Sequence, residues 1–159
     1  MSSIDVPDDP LGRFSISVFA MNGALLRSGE RVTRPLGQSS ARWQVLGRAG
    51  YRPRTVAQMA HDMGHARQSV QRIADALADE GLVAYRDNPA DRRARLVGLT
   101  PAGETVLAAI SARNREWSRA LLARIDPAQL TQVAEALEGI ARIFDDDMDQ
   151  RPAMEEDEA

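Results

Sequence analysis

The sequence has no cysteine and no lysine, and only 4% of its residues are aromatic. The lack of cysteine excludes disulfides, thiolate metal sites and a cysteine redox switch. No run of residues approaches the roughly 18 apolar positions of a membrane-spanning helix, and the N-terminus is polar and acidic rather than signal-like. We therefore expect a cytoplasmic protein without a membrane partner, whose core is built from aliphatic side chains.

The net charge of −3 is distributed unevenly along the chain. Residues 39–100 carry ten arginines and six acidic residues, a net +4, whereas the rest carries ten arginines and 17 acidic residues, a net −7. A basic segment within an acidic chain predicts a polyanionic partner for that segment. Arginine also suits such a partner, because its planar guanidinium matches phosphate and guanine.

The middle of the chain has the pattern of a helix-turn-helix. Ser39 is expected to cap a short helix that ends near Gly50. Thr55-Val-Ala-Gln58 fits a capping box, which predicts the first helix of the pair, a short one that ends near Gly64. A second helix is expected from about Arg67 to Glu80, with apolar residues on one face and Gly81 as its C-terminal stop. Two helices joined by a glycine-containing turn are typical of DNA-binding proteins.

A basic β-hairpin is predicted directly after the second helix. Two short strand-like segments, residues 82–86 and 95–99, flank the turn residues Asp-Asn-Pro-Ala-Asp (87–91). The tip of this hairpin carries Arg92 and Arg93, so we interpret it as a wing. An arginine at the tip of a wing suits a narrow minor groove, and Asp91 is expected to fix its guanidinium.

These patterns yield a set of candidate DNA-binding residues. Arginine and glutamine on the second helix suit the edges of guanine and adenine, and the wing arginines suit phosphates and the minor groove. The alternatives are a solvated polar helix face and a weak surface ion pair at the wing. The candidates are Arg67, Gln68, Ser69, Gln71 and Arg72 on the helix, and Asp91, Arg92, Arg93 and Arg95 on the wing.

Amphipathic patterns flank this region on both sides. Apolar residues recur at helical spacing from Phe14 to Leu25, and Thr100-Pro101 and Asp126-Pro127 are typical helix starts. We expect a mainly α fold with a small β-hairpin wing. The DNA-binding region, residues 39–100, which we call the reading head, is inserted between dimerisation helices. The predicted segments are a mobile arm (1–12), an N-terminal dimerisation helix and loop (13–38), the winged helix-turn-helix (39–100), C-terminal dimerisation helices (101–145) and an acidic disordered tail (146–159).

Several of these segments resemble the MarR family of bacterial regulators. The resemblance lies in Ser-Ser-Ala-Arg-Trp-Gln-Val-Leu (39–46), Arg-Gln-Ser-Val-Gln-Arg (67–72), Asp-Asn-Pro-Ala-Asp-Arg-Arg-Ala (87–94) and Leu-Thr-Pro-Ala-Gly (99–103). It implies a two-fold homodimer on an inverted-repeat operator, often a repressor, released by a small aromatic or lipophilic ligand. It also implies that Asp91 and Arg93 form the wing pair.

The sequence departs from the family at the start of the second helix. The family usually has Ser, Thr or Asp as the N-cap there, whereas this chain has His65 and Ala66. Loss of a capping oxygen costs about 0.5–2 kcal/mol, so this helix start is expected to fray. His61 and His65 have the i, i+4 spacing of a zinc pair, but no third ligand is evident and we expect no metal or cofactor.

No motif fixes a ligand pocket. Phe19, Trp43 and Trp117 are candidates to line one, and each also fits an ordinary core position. The sequence contains no arrangement typical of an enzyme. Two other hypotheses remain open: a protein–protein interaction module with a vestigial helix-turn-helix, and a metal- or pH-responsive regulator.

Overall fold

The computed structural model describes residues 9–150. The chain divides into two compact units at the Arg115–Glu116 bond. The elements of the described range are α1 (Pro10–Thr33), a 3₁₀ turn (Arg34–Leu36), α2 (Ser40–Tyr51), β1 (Arg54–Thr55), α3 (Val56–Met63), α4 (Arg67–Asp79), β2 (Val83–Arg86), β3 (Leu96–Leu99), α5 (Pro101–Leu122) and α6 (Pro127–Gln150). None of these helices is long and apolar enough to cross a membrane.

Helix α1 begins earlier than the sequence suggested. Asp9 caps it, because its carboxylate accepts a hydrogen bond from the Gly12 backbone N–H at 2.6 Å, and Pro10 occupies the first turn. Proline suits that position, since its fixed φ is helical and its missing N–H would have no partner there. The expected mobile arm is therefore wrong for residues 10–12, and residues 1–8 lie outside the described range.

The predicted caps of the helix-turn-helix are confirmed. Ser39 accepts from the Arg42 N–H at 3.2 Å at the start of α2. In the capping box of α3, Thr55 Oγ1 accepts from the Gln58 N–H at 3.2 Å, and Gln58 Oε1 accepts from the Thr55 N–H at 3.0 Å. Gly64 ends α3 with a φ of 61°, a left-handed conformation that glycine adopts without a steric penalty.

The wing belongs to a three-stranded antiparallel sheet in the order β1-β3-β2. Val83 pairs with Leu99 and Arg86 with Leu96, as expected for the hairpin. The sequence analysis missed β1, whose Arg54 pairs with Val97 on the other edge of β3. A two-residue strand shows no alternation of apolar and polar residues, so its sequence does not distinguish it from a loop.

The core of the first unit lies between α2, α3, α4, the sheet and the N-terminal half of α5. Its largest fully buried side chains are aliphatic, and each contributes about 1.5–3 kcal/mol by leaving water. They include Val45, Leu46, Met59, Val70, Leu77, Val97 and Ile110. The expected inner face of α4 is buried at Val70, Ala74 and Leu77 and half-buried at Ile73.

The start of α5 is held tightly against the segment that leads into β2. Thr100 Oγ1 accepts from the Gly103 N–H at 3.1 Å and donates to the Gly81 carbonyl at 2.6 Å. A Cβ on Gly103 would lie 1.9 Å from the Leu82 carbonyl oxygen, so only glycine fits there without a shift of the backbone. This contact fixes the base of the wing relative to the start of α5.

Helix α6 extends further than the sequence suggested. Asp126 starts it, with Oδ1 accepting from the Ala128 N–H at 3.0 Å, and the helix continues to Gln150. The expected disordered tail is therefore wrong for residues 146–150, and residues 151–159 lie outside the described range. No glycine or proline occurs between Gly139 and Pro152, so nothing in the sequence ends the helix earlier.

Candidate nucleic-acid interface

Helix α4 presents a polar face opposite its buried face. Arg67, Gln68, Ser69 and Arg72 are exposed, whereas Gln71 is half-buried. With 13 residues, α4 is about 20 Å long, and an α-helix fits the major groove of B-DNA. The residues predicted to contact bases therefore lie on one accessible surface.

The start of α4 lacks a side-chain cap, as the sequence predicted. Ala66 occupies the N-cap position with φ −59° and ψ 133°, and it makes no capping bond. The Ala66 carbonyl accepts from the Ser69 N–H at 2.9 Å. His61 and His65 are both exposed, and within residues 9–150 no group of three or more His, Asp or Glu side chains could hold a metal ion.

The tip of the wing is fixed by two side chains that bond to its backbone. Asn88 Nδ2 donates to the Ala94 carbonyl at 3.0 Å, and Asn88 Oδ1 accepts from the Ala90 N–H at 3.1 Å. Asp91 Oδ1 accepts from the backbone N–H of Arg93 at 2.9 Å. The expectation that Asp91 fixes the Arg93 guanidinium is therefore wrong, since this carboxylate orders the backbone of the loop and leaves the guanidinium exposed.

The arginines of residues 39–100 fall into two equal groups. Five have side chains bonded within the protein: Arg42, Arg48, Arg54, Arg86 and Arg95. Among the described residues, the guanidinium groups of the other five have no such partner, and all are exposed: Arg52, Arg67, Arg72, Arg92 and Arg93. Four of these five lie on α4 or the wing, so within residues 39–100 the unpaired positive charge lies mainly on these two elements.

The bonded arginines mainly hold the scaffold together. Arg42 on α2 makes a bidentate ion pair with Glu80, just after α4, and one of its two bonds is 2.8 Å long. The hydrogen bond from Arg42 lowers the pKa of the Glu80 carboxyl. Arg54 pairs with Asp62 of α3, and Arg48 donates to the Asp62 carbonyl at 3.0 Å.

Gln71 is engaged within the protein, which the sequence did not predict. Its Nε2 donates to Asp75 Oδ1 and to the Tyr85 hydroxyl, both at 2.8 Å. The Tyr85 hydroxyl in turn donates to Asp75 Oδ1 at 2.7 Å. The i, i+4 spacing of Gln71 and Asp75 on a helix could have indicated the hydrogen bond between their side chains. Tyr85 lies on a strand 14 residues away from Gln71, and local spacing gave no sign of this contact.

A cavity of about 320 Å³ lies between α4, the start of α3 and the wing. Its lining includes Arg67, Gln71, Arg93 and Arg95, so the fold brings candidates from both predicted elements together. Arg95 also donates to the Tyr85 carbonyl at 3.0 Å, and its guanidinium carbon lies 5.2 Å from the centre of the Tyr85 ring. Arg95 is thus tied to β2, unlike Arg92 and Arg93.

The three aromatic ligand candidates are divided between the two units. Phe19 on α1 is 74% exposed, and Trp43 on α2 is half-buried. Trp117 belongs to the second unit. A cavity of about 470 Å³ in the first unit is lined by other residues, among them Arg86, Leu99, Glu104 and Leu107.

Comparison with known proteins agrees with this geometry. A model of the MarR family matches residues 36–94, which span α2, the helix-turn-helix, β2 and the tip of the wing. An uncharacterised protein of Mycobacterium tuberculosis is 40% identical over 129 residues, covering 81% of this chain and 90% of its own. The chain belongs to the MarR family.

Solved MarR-type structures share the fold over most of the chain. A MarR family transcriptional regulator from Silicibacter pomeroyi superposes with a TM-score of 0.76 at 23% identity, over 91% of this chain and 99% of its own. CouR from Rhodococcus jostii, solved with p-coumaroyl-CoA, superposes with a TM-score of 0.72 at 23% identity, over 87% of this chain and 96% of its own. The mainly α winged helix-turn-helix fold expected from the sequence is thereby confirmed.

Proposed function

We propose that this MarR-family chain is a homodimeric transcriptional repressor that binds an inverted-repeat operator in double-stranded DNA. Helix α4 enters the major groove through Arg67, Gln68, Ser69 and Arg72, and the wing reaches the adjacent minor groove through Arg92 and Arg93. The observation that carries the proposal is that, within residues 39–100, four of the five exposed and unbonded arginines lie on these two elements. Such groups can neutralise phosphates without breaking an internal bond.

The proposed partner in the dimer is a second copy of the chain. Helix α6 exposes a stripe of large apolar side chains, including Leu130, Val133, Leu137 and Phe144, with exposed fractions of 39–52%. Helix α1 separately exposes Phe19, Met21 and Leu25. A monomer in water rarely exposes contiguous apolar surface on this scale, so we assign these faces to the dimer interface.

A small aromatic or lipophilic ligand is proposed to release the DNA. The cavity of about 470 Å³ has a volume typical of small-molecule sites, and its lining combines apolar side chains such as Leu99 and Leu107 with two charged groups, Arg86 and Glu104. Phe19, Trp43 and Trp117 remain a second prediction for the ligand site. Release of bound DNA by aromatic carboxylates and coenzyme A thioesters, compared between the wild type and Arg86→Ala, tests this part of the proposal.

Selection of binding sites from a random duplex pool tests the DNA-binding function. We expect the wild type to enrich an inverted repeat and the double variant Arg67→Ala/Arg72→Ala to lose that enrichment. The control Arg31→Ala/Arg34→Ala removes the same charge from exposed positions outside the reading head. This control should still enrich the inverted repeat. If the wild type enriches no sequence, the proposal is wrong and the protein-interaction module becomes the better hypothesis.

A further inference from the structure

Gln71, Asp75 and Tyr85 form a closed hydrogen-bonded cluster, which we call the Gln71 cluster. It joins the polar face of α4 to strand β2 at the base of the wing. The amide nitrogen of Gln71 donates to Asp75 Oδ1 and the Tyr85 hydroxyl at 2.8 Å each, and that hydroxyl donates to Asp75 Oδ1 at 2.7 Å.

The chemistry of Asp75 fixes which end of the Gln71 amide faces inward. A carboxylate only accepts hydrogen bonds, so the group that faces it must be the NH₂ and not the carbonyl oxygen. The same NH₂ group also faces the Tyr85 hydroxyl, whose own hydrogen goes to Asp75. The NH₂ end of Gln71 is therefore held towards Asp75 and Tyr85, while no group among residues 9–150 donates to its Oε1.

Tyr85 remains a neutral donor in this arrangement. Burial, followed by the hydrogen bond and charge of Asp75, raises the pKa of its phenol to about 12. The ring is also held from the side of the wing, because Arg95 lies 5.2 Å from its centre and donates to the Tyr85 carbonyl. The cluster is thus supported from two elements, and Gln71 is half-buried within it.

We propose that Asp75 and Tyr85 are positioning residues that restrict Gln71 to accepting a hydrogen bond from DNA, so that Gln71 selects adenine or cytosine over guanine or thymine on the strand it faces. This inference rests on the proposed entry of α4 into the major groove. A free glutamine bonds adenine through one donor and one acceptor. With the NH₂ end held towards Asp75 and Tyr85, the carbonyl oxygen is the end of the amide that is left to meet a base.

That oxygen distinguishes bases by their exocyclic group. In the major groove adenine N6 and cytosine N4 are donors, whereas guanine O6 and thymine O4 are acceptors that would meet the Gln71 oxygen without a hydrogen between them. The expected preference is about tenfold for amino bases over keto bases at one base pair of each half-site. Gln71→Ala should abolish it.

Binding-site selection with the full-length protein and matched variants tests the inference. Asp75→Asn keeps the size of the side chain but supplies a donor, so the Gln71 amide can turn and the preference should fall to about twofold or less. Tyr85→Phe keeps the ring beside Arg95 but removes one of the two acceptors that hold the Gln71 NH₂, so it should also admit keto bases. This second variant tests the inference even if Asp75→Asn does not fold.

The control is Asp79→Asn on the same helix. Asp79 is exposed, and its side chain has no hydrogen bond among the described residues, so this variant makes the same charge change outside the cluster. It should keep the wild-type preference, which separates positioning from general electrostatics. If the wild type selects an operator but Asp75→Asn and Tyr85→Phe select the same bases as the wild type, the inference is wrong. A wild type that selects no DNA overturns the proposed function as well.

Discussion

The arginines of the reading head have different roles, and the role of each depends on whether its side chain is bonded within the protein. Arg42 and Arg54 are ion-paired with Glu80 and Asp62, whereas Arg67 and Arg93 are exposed without a side-chain partner among the described residues. The local sequence showed that residues 39–100 are basic but not which arginines are unpaired. Arg42 and Glu80 are 38 positions apart, so only the packing of α2 against the end of α4 brings them together.

The first prediction concerns Arg93, because the backbone at the wing tip is already ordered by Asn88 and Asp91. Removing the guanidinium should therefore remove a DNA contact without disturbing the loop. We expect Arg93→Ala to weaken operator binding by about 1–3 kcal/mol and to leave the free energy of unfolding unchanged. Fluorescence anisotropy and urea denaturation measure the two quantities.

Arg52→Ala is the matched control for Arg93→Ala. Arg52 is also exposed and unbonded through its side chain, but it lies outside α4 and the wing. It should weaken operator binding far less. Equal losses for the two variants would mean that general charge, and not the wing, accounts for the effect.

At the scale of elements, the sequence predicted the features that depend on hydrogen bonds between residues close together in the chain. Ser39, Thr55 and Gly64 marked helix ends correctly, because caps depend on residues within one turn. Strand β1 was missed because it exists only through its pairing with β3. The acidic composition after Asp145 suggested disorder, yet α6 continues to Gln150. The Gln71 cluster likewise depends on how the wing packs against α4.

The missing N-cap of α4 gives the second prediction. Ala66 has an extended ψ of 133°, which suits a capping residue, so Ala66→Ser should supply an oxygen for the first-turn N–H groups. We expect the free energy of unfolding to rise by about 0.5–2 kcal/mol and the amide hydrogens of Gln68 and Ser69 to exchange more slowly. Urea denaturation and hydrogen exchange measure these effects.

Ala76→Ser is the control for the capping variant. Ala76 is exposed in the interior of α4, where serine has a lower helix propensity than alanine. This variant should be neutral or slightly destabilising. A similar gain in stability from both variants would show that capping is not the cause.

At the scale of the whole molecule, the exposed apolar stripe of α6 is the surface that we assign to the proposed dimer interface. The periodicity of this helix was visible in the sequence, whereas its exposure became known only from the structure. In the described range Leu137 is 39% and Phe144 is 47% exposed, although both types of side chain favour burial. A dimer that buries this stripe also places two reading heads on one DNA molecule.

The third prediction is that Leu137→Glu disrupts the dimer. Burial of an unpaired carboxylate in an apolar interface costs about 3 kcal/mol or more, so the dimer dissociation constant should rise at least about a hundredfold. Analytical ultracentrifugation measures it. Gln132→Glu adds the same charge to an exposed position of α6 away from the stripe and should leave the dimer intact. A Leu137→Glu protein that dimerises as tightly as the wild type would exclude this interface.

The central claim, that two reading heads are held at a fixed separation, is tested most directly by changing the spacing of the operator. Two recognition helices in a rigid two-fold dimer contact half-sites about 10–10.5 bp apart, on the same face of the duplex. Insertion of about five base pairs, half a helical turn, moves one half-site to the opposite face. In an anisotropy titration of the selected operator, we predict that this insertion lowers affinity to the non-specific level. An affinity that does not depend on half-site spacing would contradict the account.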